Sequence, residues 1–182
     1  MQKQKQVKDL MLPLEEYGVV SETDTLYDAL MKLDLAQKRL APGKFKHRAV
    51  LVADADGGIV GKIGHLGFLK ALEPKYRSIG NLGVLSKAGM DKVFLQSMMD
   101  FHQLFKEDLA TLCKRAKLKS VKEAMHPVEE HVAEDAPLSE ALHLFIMWQS
   151  LSLLVVRGEA VVGILRLSDV FQYMFDHMVH EC

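Results

Sequence analysis

The chain has 182 residues, of which 49% are hydrophobic and 26% are charged. Chains of about this length bury roughly 70% of their unfolded surface, so this composition excludes a wholly disordered protein. The 23 Lys and Arg residues nearly balance the 24 Asp and Glu residues, which leaves a net charge of −1 and argues against general binding to nucleic acid or to an anionic membrane.

The chain also lacks the apolar segments of exported or membrane proteins. No apolar run reaches the roughly 18 residues that a membrane helix needs, and residues 1–8 contain no hydrophobic signal region. We therefore expect a soluble, cytoplasmic protein.

A ten-residue segment near the start of the chain recurs in its second part. Residues 7–16, VKDLMLPLEE, align with residues 121–130, VKEAMHPVEE, with six identities in ten positions. Farther on, the Val-Gly pair at residues 60–61 recurs at residues 162–163. The first repeat extends over residues 7–72 and the second over residues 121–174. Because the unit occurs only twice, the sequence indicates a tandem pair and not a solenoid.

Each repeat predicts the same elements in the same order. A short helical segment ends at Met-x-Pro, since proline cannot continue a helix. A short strand follows, and the next helix begins at Thr25 or Pro137, after acidic residues. Two β-rich runs, at residues 49–53 and 59–63 and again at 153–156 and 161–165, flank Asp-Gly and Arg-Gly turns that are typical of hairpins. A last helix, which Ser168 and Asp169 can cap in the second repeat, completes an α/β (α+β) unit of βαββα order.

The middle segment, residues 73–120, does not repeat. From residue 91 to about residue 117 its apolar residues form one helical stripe, which predicts a single helix of about 27 residues and roughly 40 Å. Such a stripe must pack against the repeats or a second subunit, or else bind a partner protein. Residues 175–182 are assigned to a carboxy-terminal tail. His177 and His180 are three residues apart and could share a helix face with a metal, but no supporting partners are identifiable for them, so no metal site is predicted.

The Met-x-Pro start, the βαββα order and a closing Val-Gly-x-hydrophobic-x-x-x-Asp motif resemble the CBS (cystathionine-β-synthase-type) domain. Residues 162–170 fit this end motif closely, and the resemblance covers about 120 of the 182 residues. It implies two CBS domains packed as a pseudo-symmetric pair, or Bateman module, with an inserted helical segment between them, as in bacterial stand-alone CBS-pair proteins. Such pairs commonly bind adenine nucleotides or S-adenosylmethionine between their domains and usually form homodimers.

Applied to this sequence, the resemblance implies one nucleotide site at most. Asp169 takes the position of the carboxylate that usually accepts hydrogen bonds from the ribose hydroxyls. The Thr or Ser that usually contacts the phosphate is replaced by Arg166, with Ser168 nearby. Arg166 could bind phosphate, fill the cleft or pair with Asp169, and Asp169 could be an ordinary helix cap. The matching positions of the first repeat are Gly64 and Gly67, which carry no side chain.

The adenine side of the cleft is expected near the start of the second repeat. The residues that the resemblance places there, each of which could instead be plain packing, are Met125, Pro127, Val128, His131 and Val132.

The resemblance implies a non-enzymatic regulatory module that binds AMP, ATP or S-adenosylmethionine and signals to an unidentified partner protein. No certain cofactor is implied, and no catalytic or metal-binding motif occurs in the sequence. The bare glycines of the first repeat and the missing hydroxyl at Arg166 leave open a ligand-free scaffold for dimerisation or protein interaction.

Overall fold

The computed structural model describes residues 5–79, 89, 91–127 and 129–181. Its strands form two four-stranded sheets. One sheet has the order β2 (Val19–Ser21), β3 (Ala49–Ala53), β4 (Ile59–Gly64), β5 (His126–Pro127), and the other has the order β1 (Leu12–Pro13), β8 (Ala160–Arg166), β7 (Ser152–Arg157), β6 (His131–Ala133). We call the part of the molecule built on the β2–β5 sheet the first half and the part built on the other sheet the second half.

The α-helices are α1 (Leu26–Lys38), α2 (His65–Leu72), α3 (Lys92–His102), α4 (Leu109–Leu118), α5 (Leu138–Trp148) and α6 (Leu167–Glu181). Short 3-10 helices lie at Val7–Asp9, Leu14–Glu16, Pro74–Ser78 and Val121–Glu123. The α/β fold class and the twice-repeated βαββα order are thereby confirmed. Within the described ranges, none of these helices is both long and apolar enough to cross a membrane.

Local sequence signals account for the positions of the elements in both halves. In the first hairpin Gly57 has a φ of 83°, and in the second Gly158 has a φ of 61°, a region that glycine occupies without steric cost. Helix α1 begins after Thr25, whose hydroxyl accepts a hydrogen bond from the Asp28 N–H while the Asp28 carboxylate accepts one from the Thr25 N–H. This capping box fixes the start that the sequence predicts.

The Met-x-Pro strand of each repeat belongs to the sheet of the other repeat. Strand β1 pairs antiparallel with β8, and β5 pairs antiparallel with β4. The crossings are tight: a Cβ atom at Gly163 would lie 2.5 Å from the Leu12 carbonyl oxygen, and one at Gly61 would lie 2.6 Å from that of His126. Only glycine allows this approach, so the glycine of each repeated Val-Gly pair is required where the exchanged strand crosses.

The hydrophobic cores follow the same exchange. Val7, from the start of the first repeat, is fully buried in the core of the second half, and Val121 is fully buried in the core of the first half. A third cluster, which includes Leu51 from β3 and Leu154 from β7, lies between the two sheets. The predicted packing of the two repeats as a pseudo-symmetric pair is therefore confirmed, and each half depends on a segment from the other repeat.

The single long helix predicted in the middle segment is wrong, since α3 and α4 take its place. The chain turns at Gln103 and Phe105, whose φ angles of 51° and 49° are left-handed. Between them Leu104 is buried, and the Phe105 N–H donates to the buried Glu73 carboxylate at 2.8 Å. Residues 103–108 contain neither Gly nor Pro, so apolar periodicity alone did not reveal a break that tertiary contacts impose.

Candidate functional site

A cavity of about 680 Å³ lies between the two halves. Both strand-to-helix junctions reach it: residues 64–67 at the β4–α2 junction and residues 166–168 at the β8–α6 junction. Apolar side chains from both halves, including Phe45 and Phe171, complete much of the wall. The volume is of the size that small-molecule sites occupy, and the lining belongs to neither half alone.

Arg166 is the central buried cation of the second-half junction, with a side chain only 5% exposed. Its Nε and Nη2 atoms donate to the two carboxylate oxygens of Asp169 at 2.5 and 2.7 Å, which is the bidentate geometry of a strong ion pair. Its Nη1 atom donates to the backbone carbonyl of Phe45, in the first half, at 2.8 Å. The sequence left three roles open for Arg166, namely binding phosphate, filling the cleft or pairing with Asp169. The structure shows the pairing with Asp169.

This pairing changes the role of the residues expected to cap α6. The helix begins at Leu167, so Ser168 and Asp169 lie in its first turn and the prediction that they cap it is wrong. The Asp169 carboxylate is turned to Arg166, and Asp169 is absent from the described lining of the cavity, whereas Ser168 belongs to that lining.

Two aromatic rings surround the Arg166 guanidinium. The Tyr17 and His47 ring centroids are 4.3 Å apart, and the His47 Nδ1 atom lies 3.4 Å from Arg166 Nη1. Burial raises the pKa of Tyr17 to about 12. Burial, followed by the nearby Arg166 charge, lowers the pKa of His47, whose buried Nε2 atom makes no hydrogen bond to the described residues. Arg166 is thus surrounded by two aromatic rings, the Phe45 carbonyl and a single carboxylate, that of Asp169.

Lys62 is the buried cation of the first half. Its side chain contacts the second half, just as Arg166 of the second half contacts the first. Its Nζ atom donates to the Glu130 carboxylate at 2.8 Å, to the Ser152 carbonyl at 2.6 Å and to the Ser150 hydroxyl at 3.4 Å. Burial by itself raises the pKa of Glu130. Hydrogen bonds from Lys62 and Ser150, together with the Lys62 charge, lower it by more than burial raises it, so the net change is downward. Lys62, like Arg166, is neutralised within the protein.

Unneutralised positive charge in the cavity wall comes from two residues of the first half. Lys46 and Arg48 are exposed and line the cavity, and the part of the chain that the structure describes gives neither an acidic partner. Among the described lining residues Glu130 is the single acidic one, and it is paired with Lys62. The wall can therefore attract an anion beside the first-half junction. Sequence reasoning missed this feature, although the basic run at residues 44–48, immediately before β3, was a visible signal.

The residues predicted for the adenine side lie in several environments. Met125 packs beside the core of the first half, and Val132 is buried in the core of the second. Pro127 and His131 are exposed on β5 and β6. Val128 lies outside the described residues. The structure thus brings Arg166 and Ser168 to the cavity, and the ligand-binding role of the whole set stays a prediction.

A family comparison decides what the second repeat is. Residues 121–176 match the model of the CBS domain. The second repeat is a CBS domain. With its pseudo-symmetric first repeat, the chain has the fold of a tandem CBS pair.

Solved structures agree with this fold over nearly the whole chain. CBSX2 crystallised in complex with AMP is 21% identical, with a TM-score of 0.59 over 94% of this chain and 97% of that one. The CBS-pair protein CBSX2 from Arabidopsis thaliana is 20% identical, with a TM-score of 0.61 over 98% and 99% of the two chains. A CBS domain-containing protein of unknown function from Bacillus anthracis is 16% identical, with a TM-score of 0.64 over 96% and 95%. No curated protein matches the chain significantly.

Proposed function

We propose that this CBS pair is a non-enzymatic regulatory module that binds an adenine-containing ligand, either a nucleotide such as AMP or ATP or else S-adenosylmethionine, in the cavity between its halves. The observation that carries the proposal is the composition of the cavity wall. Both strand-to-helix junctions contribute to it, and it contains the charged side chains of Lys46 and Arg48, which have no acidic partner among the described residues. A phosphate suits these cations, and a base suits the apolar surface near Phe45 and Phe171. The AMP complex of CBSX2 shows that a protein of this fold can hold such a ligand.

The cavity suggests how binding would produce a signal. Because its wall comes from both halves, a bound nucleotide bridges them and favours one relative arrangement over others, by as much as its affinities for those arrangements differ. The output would pass to a separate partner protein that reads this arrangement.

The side chains at the cavity favour binding over catalysis. The Ser150 hydroxyl lies 2.6 Å from a Glu130 carboxylate oxygen, as in a nucleophile–base pair. That carboxylate is also held by Lys62, and its lowered pKa makes it a poor proton acceptor at neutral pH. Ser150 and Glu130 therefore act as part of the structural contact to Lys62.

Calorimetric titration with AMP, ATP and S-adenosylmethionine tests the proposal. We expect binding of at least one of them, weakened about tenfold or more in a Lys46→Glu/Arg48→Glu variant, since charge-assisted hydrogen bonds are lost and charge is reversed. Lys106→Glu/Lys114→Glu, which changes net charge equally at exposed positions away from the cavity, should bind like the parent. Absence of heat with all three ligands would refute nucleotide binding.

A second candidate, a ligand-free scaffold, rests on the exposed face of α6. Phe171, Phe175, Met178 and Val179 follow helical spacing and are each more than half exposed. We infer that this face pairs two copies into a homodimer, because an exposed apolar stripe of this kind marks an interaction site.

Two measurements separate the candidates. Mass spectrometry of denatured, freshly purified protein should release a bound nucleotide if the first candidate is correct and none if the protein is a scaffold alone. Light scattering should give a dimer mass that falls to the monomer mass in Phe175→Glu, and a monomer mass for the parent protein at micromolar concentration would contradict the homodimer.

A further inference from the structure

The two strand-to-helix junctions are equivalent in backbone structure. Strand β4 ends at Gly64 where β8 ends at Arg166, and each following helix begins at the next residue. The first N–H of α2, from His65, donates to the Arg48 carbonyl at 3.1 Å, and the first N–H of α6, from Leu167, donates to the Leu151 carbonyl at the same distance. Gly64 and Gly67 therefore stand where the other half has Arg166 and Asp169.

The second-half junction is filled by its own side chains. The Arg166 guanidinium uses Nε, Nη1 and Nη2 for contacts within the protein, to Asp169 and to the Phe45 carbonyl. Both carboxylate oxygens of Asp169 accept from that guanidinium. Asp169 does not belong to the described lining of the cavity, and the side chain of Arg166, which is only 5% exposed, lies against its carboxylate. A ligand that took the place of the guanidinium on both carboxylate oxygens would break a buried ion pair.

The first-half junction is open at Gly64, whereas a Cβ atom at Gly67 would lie 3.3 Å from the Ile63 side chain and 3.4 Å from the Ala124 carbonyl oxygen. A Cβ atom built on Gly64 would meet only the Arg48 carbonyl oxygen, at 3.6 Å, among atoms within 4 Å. The φ of Gly64 is −94°, which any residue can adopt, so glycine is not required there by backbone conformation. The glycine instead leaves space at the cavity wall, on the side where Lys46 and Arg48 supply the unpaired charge.

We propose that the Arg166–Asp169 pair occupies the second-half ligand position from within the chain. The protein then offers a single site for an anionic ligand, beside Gly64, and Arg166 excludes a second ligand from the Asp169 side. This inference rests on the proposed function, because it assumes that the cavity binds a nucleotide. It adds that the nucleotide binds beside Gly64 in the first half and that Arg166 blocks the equivalent position in the second half.

Calorimetry with AMP as the probe tests the exclusion. The parent protein should bind one molecule of AMP, and Arg166→Ser, which restores a small hydroxyl and releases Asp169, should bind a second. Asp169→Asn in the parent background should change the affinity by no more than about twofold, since the carboxylate is already engaged. Adding Asp169→Asn to Arg166→Ser should remove the second site and retain the first.

A pair of variants at Gly64 tests the open side in a protein that keeps the Arg166–Asp169 pair. Gly64→Leu should weaken AMP binding about tenfold or more by filling the site, whereas Gly64→Ala, whose Cβ has room, should bind nearly as the parent does. Circular dichroism and thermal melts of each variant show that it is folded.

The outcomes separate the inference from the proposed function. One AMP site in both the parent and folded Arg166→Ser, or a loss of affinity in Asp169→Asn alone, overturns the inference and leaves nucleotide binding standing. Unchanged affinity in Gly64→Leu also overturns it. If the parent and every variant fail to bind AMP, ATP and S-adenosylmethionine, the proposed function fails and the inference fails with it.

Discussion

The two strand-to-helix junctions share one backbone path but differ in chemistry. At the first, Gly64 leaves space at the cavity wall, whereas at the second Arg166 and Asp169 form a bidentate ion pair, and Arg166 also donates to the Phe45 carbonyl of the other half. A duplicated unit can therefore keep its fold while the two copies diverge at the same position, one toward an open surface and the other toward a self-contained polar cluster.

The polar contacts across the cavity also differ between the halves. The first half sends Lys62 across to Glu130 and Ser152 of the second, whereas the residue aligned with Lys62 in the second repeat is the buried Ile164. The second half instead sends Arg166 across from the end of its strand. Each half thus contributes one buried, neutralised cation, and the contact between the halves does not depend on a ligand.

The largest expected effect comes from breaking the pair at the second junction. Asp169→Ala leaves the buried Arg166 without its carboxylate, which should lower the free energy of unfolding by about 3 kcal/mol, as measured by urea denaturation. Glu134→Ala is the matched control, because it removes another bidentate carboxylate–arginine pair of the same half, with Arg157, at the surface. We expect a much smaller loss there, and equal losses would show that burial of Arg166 contributes nothing.

A smaller and symmetric effect is expected where the exchanged strands cross. Gly163→Ala and Gly61→Ala each place a Cβ atom within 2.6 Å of a backbone oxygen, so the strands must move apart at a cost of about 2 kcal/mol. Gly64→Ala, at the open junction, should cost far less because its Cβ has room. The same denaturation experiment checks this order, and tolerance of alanine at residues 61 and 163 would contradict the account of the Val-Gly repeat.

The comparison also shows what the sequence could predict. Hairpin turns, helix starts and the βαββα order depend on neighbouring residues, and they were predicted to within a few positions. The exchange of β1 and β5 between sheets was not predicted, because a repeat in sequence does not say which sheet a strand joins. The break between α3 and α4 was missed for a similar reason: the buried Glu73 carboxylate, distant in sequence, stabilises the turn at Phe105.

The site was predictable only in part. Arg166 and Asp169 were singled out by the resemblance of the end motif to that of the CBS domain, but the choice between phosphate binding and mutual pairing depends on the Phe45 carbonyl and the His47 ring, which come from the first half. Lys46 and Arg48 reach the cavity because the loop before β3 runs between the two junctions, where the Phe45 carbonyl accepts from Arg166 and the Arg48 carbonyl accepts from the His65 N–H. Roles that depend on contacts between the halves require the three-dimensional structure.

The smallest expected effect is the pH dependence of stability that arises from the contact between Lys62 of the first half and the Glu130 carboxylate. Its pKa in the folded protein lies below the ordinary value of 4.5, so the ionised carboxylate stabilises the folded state above that value, and this contribution is lost as the pH falls through the lowered pKa. The difference in unfolding free energy between the parent and Glu130→Gln should therefore be constant near neutral pH and shrink below about pH 4.5. The exposed neighbour Glu129 provides the control, since Glu129→Gln should track the parent throughout. A difference that grew on acidification would contradict a lowered pKa of Glu130 in the folded protein, and with it the stabilising contact of this carboxylate with Lys62.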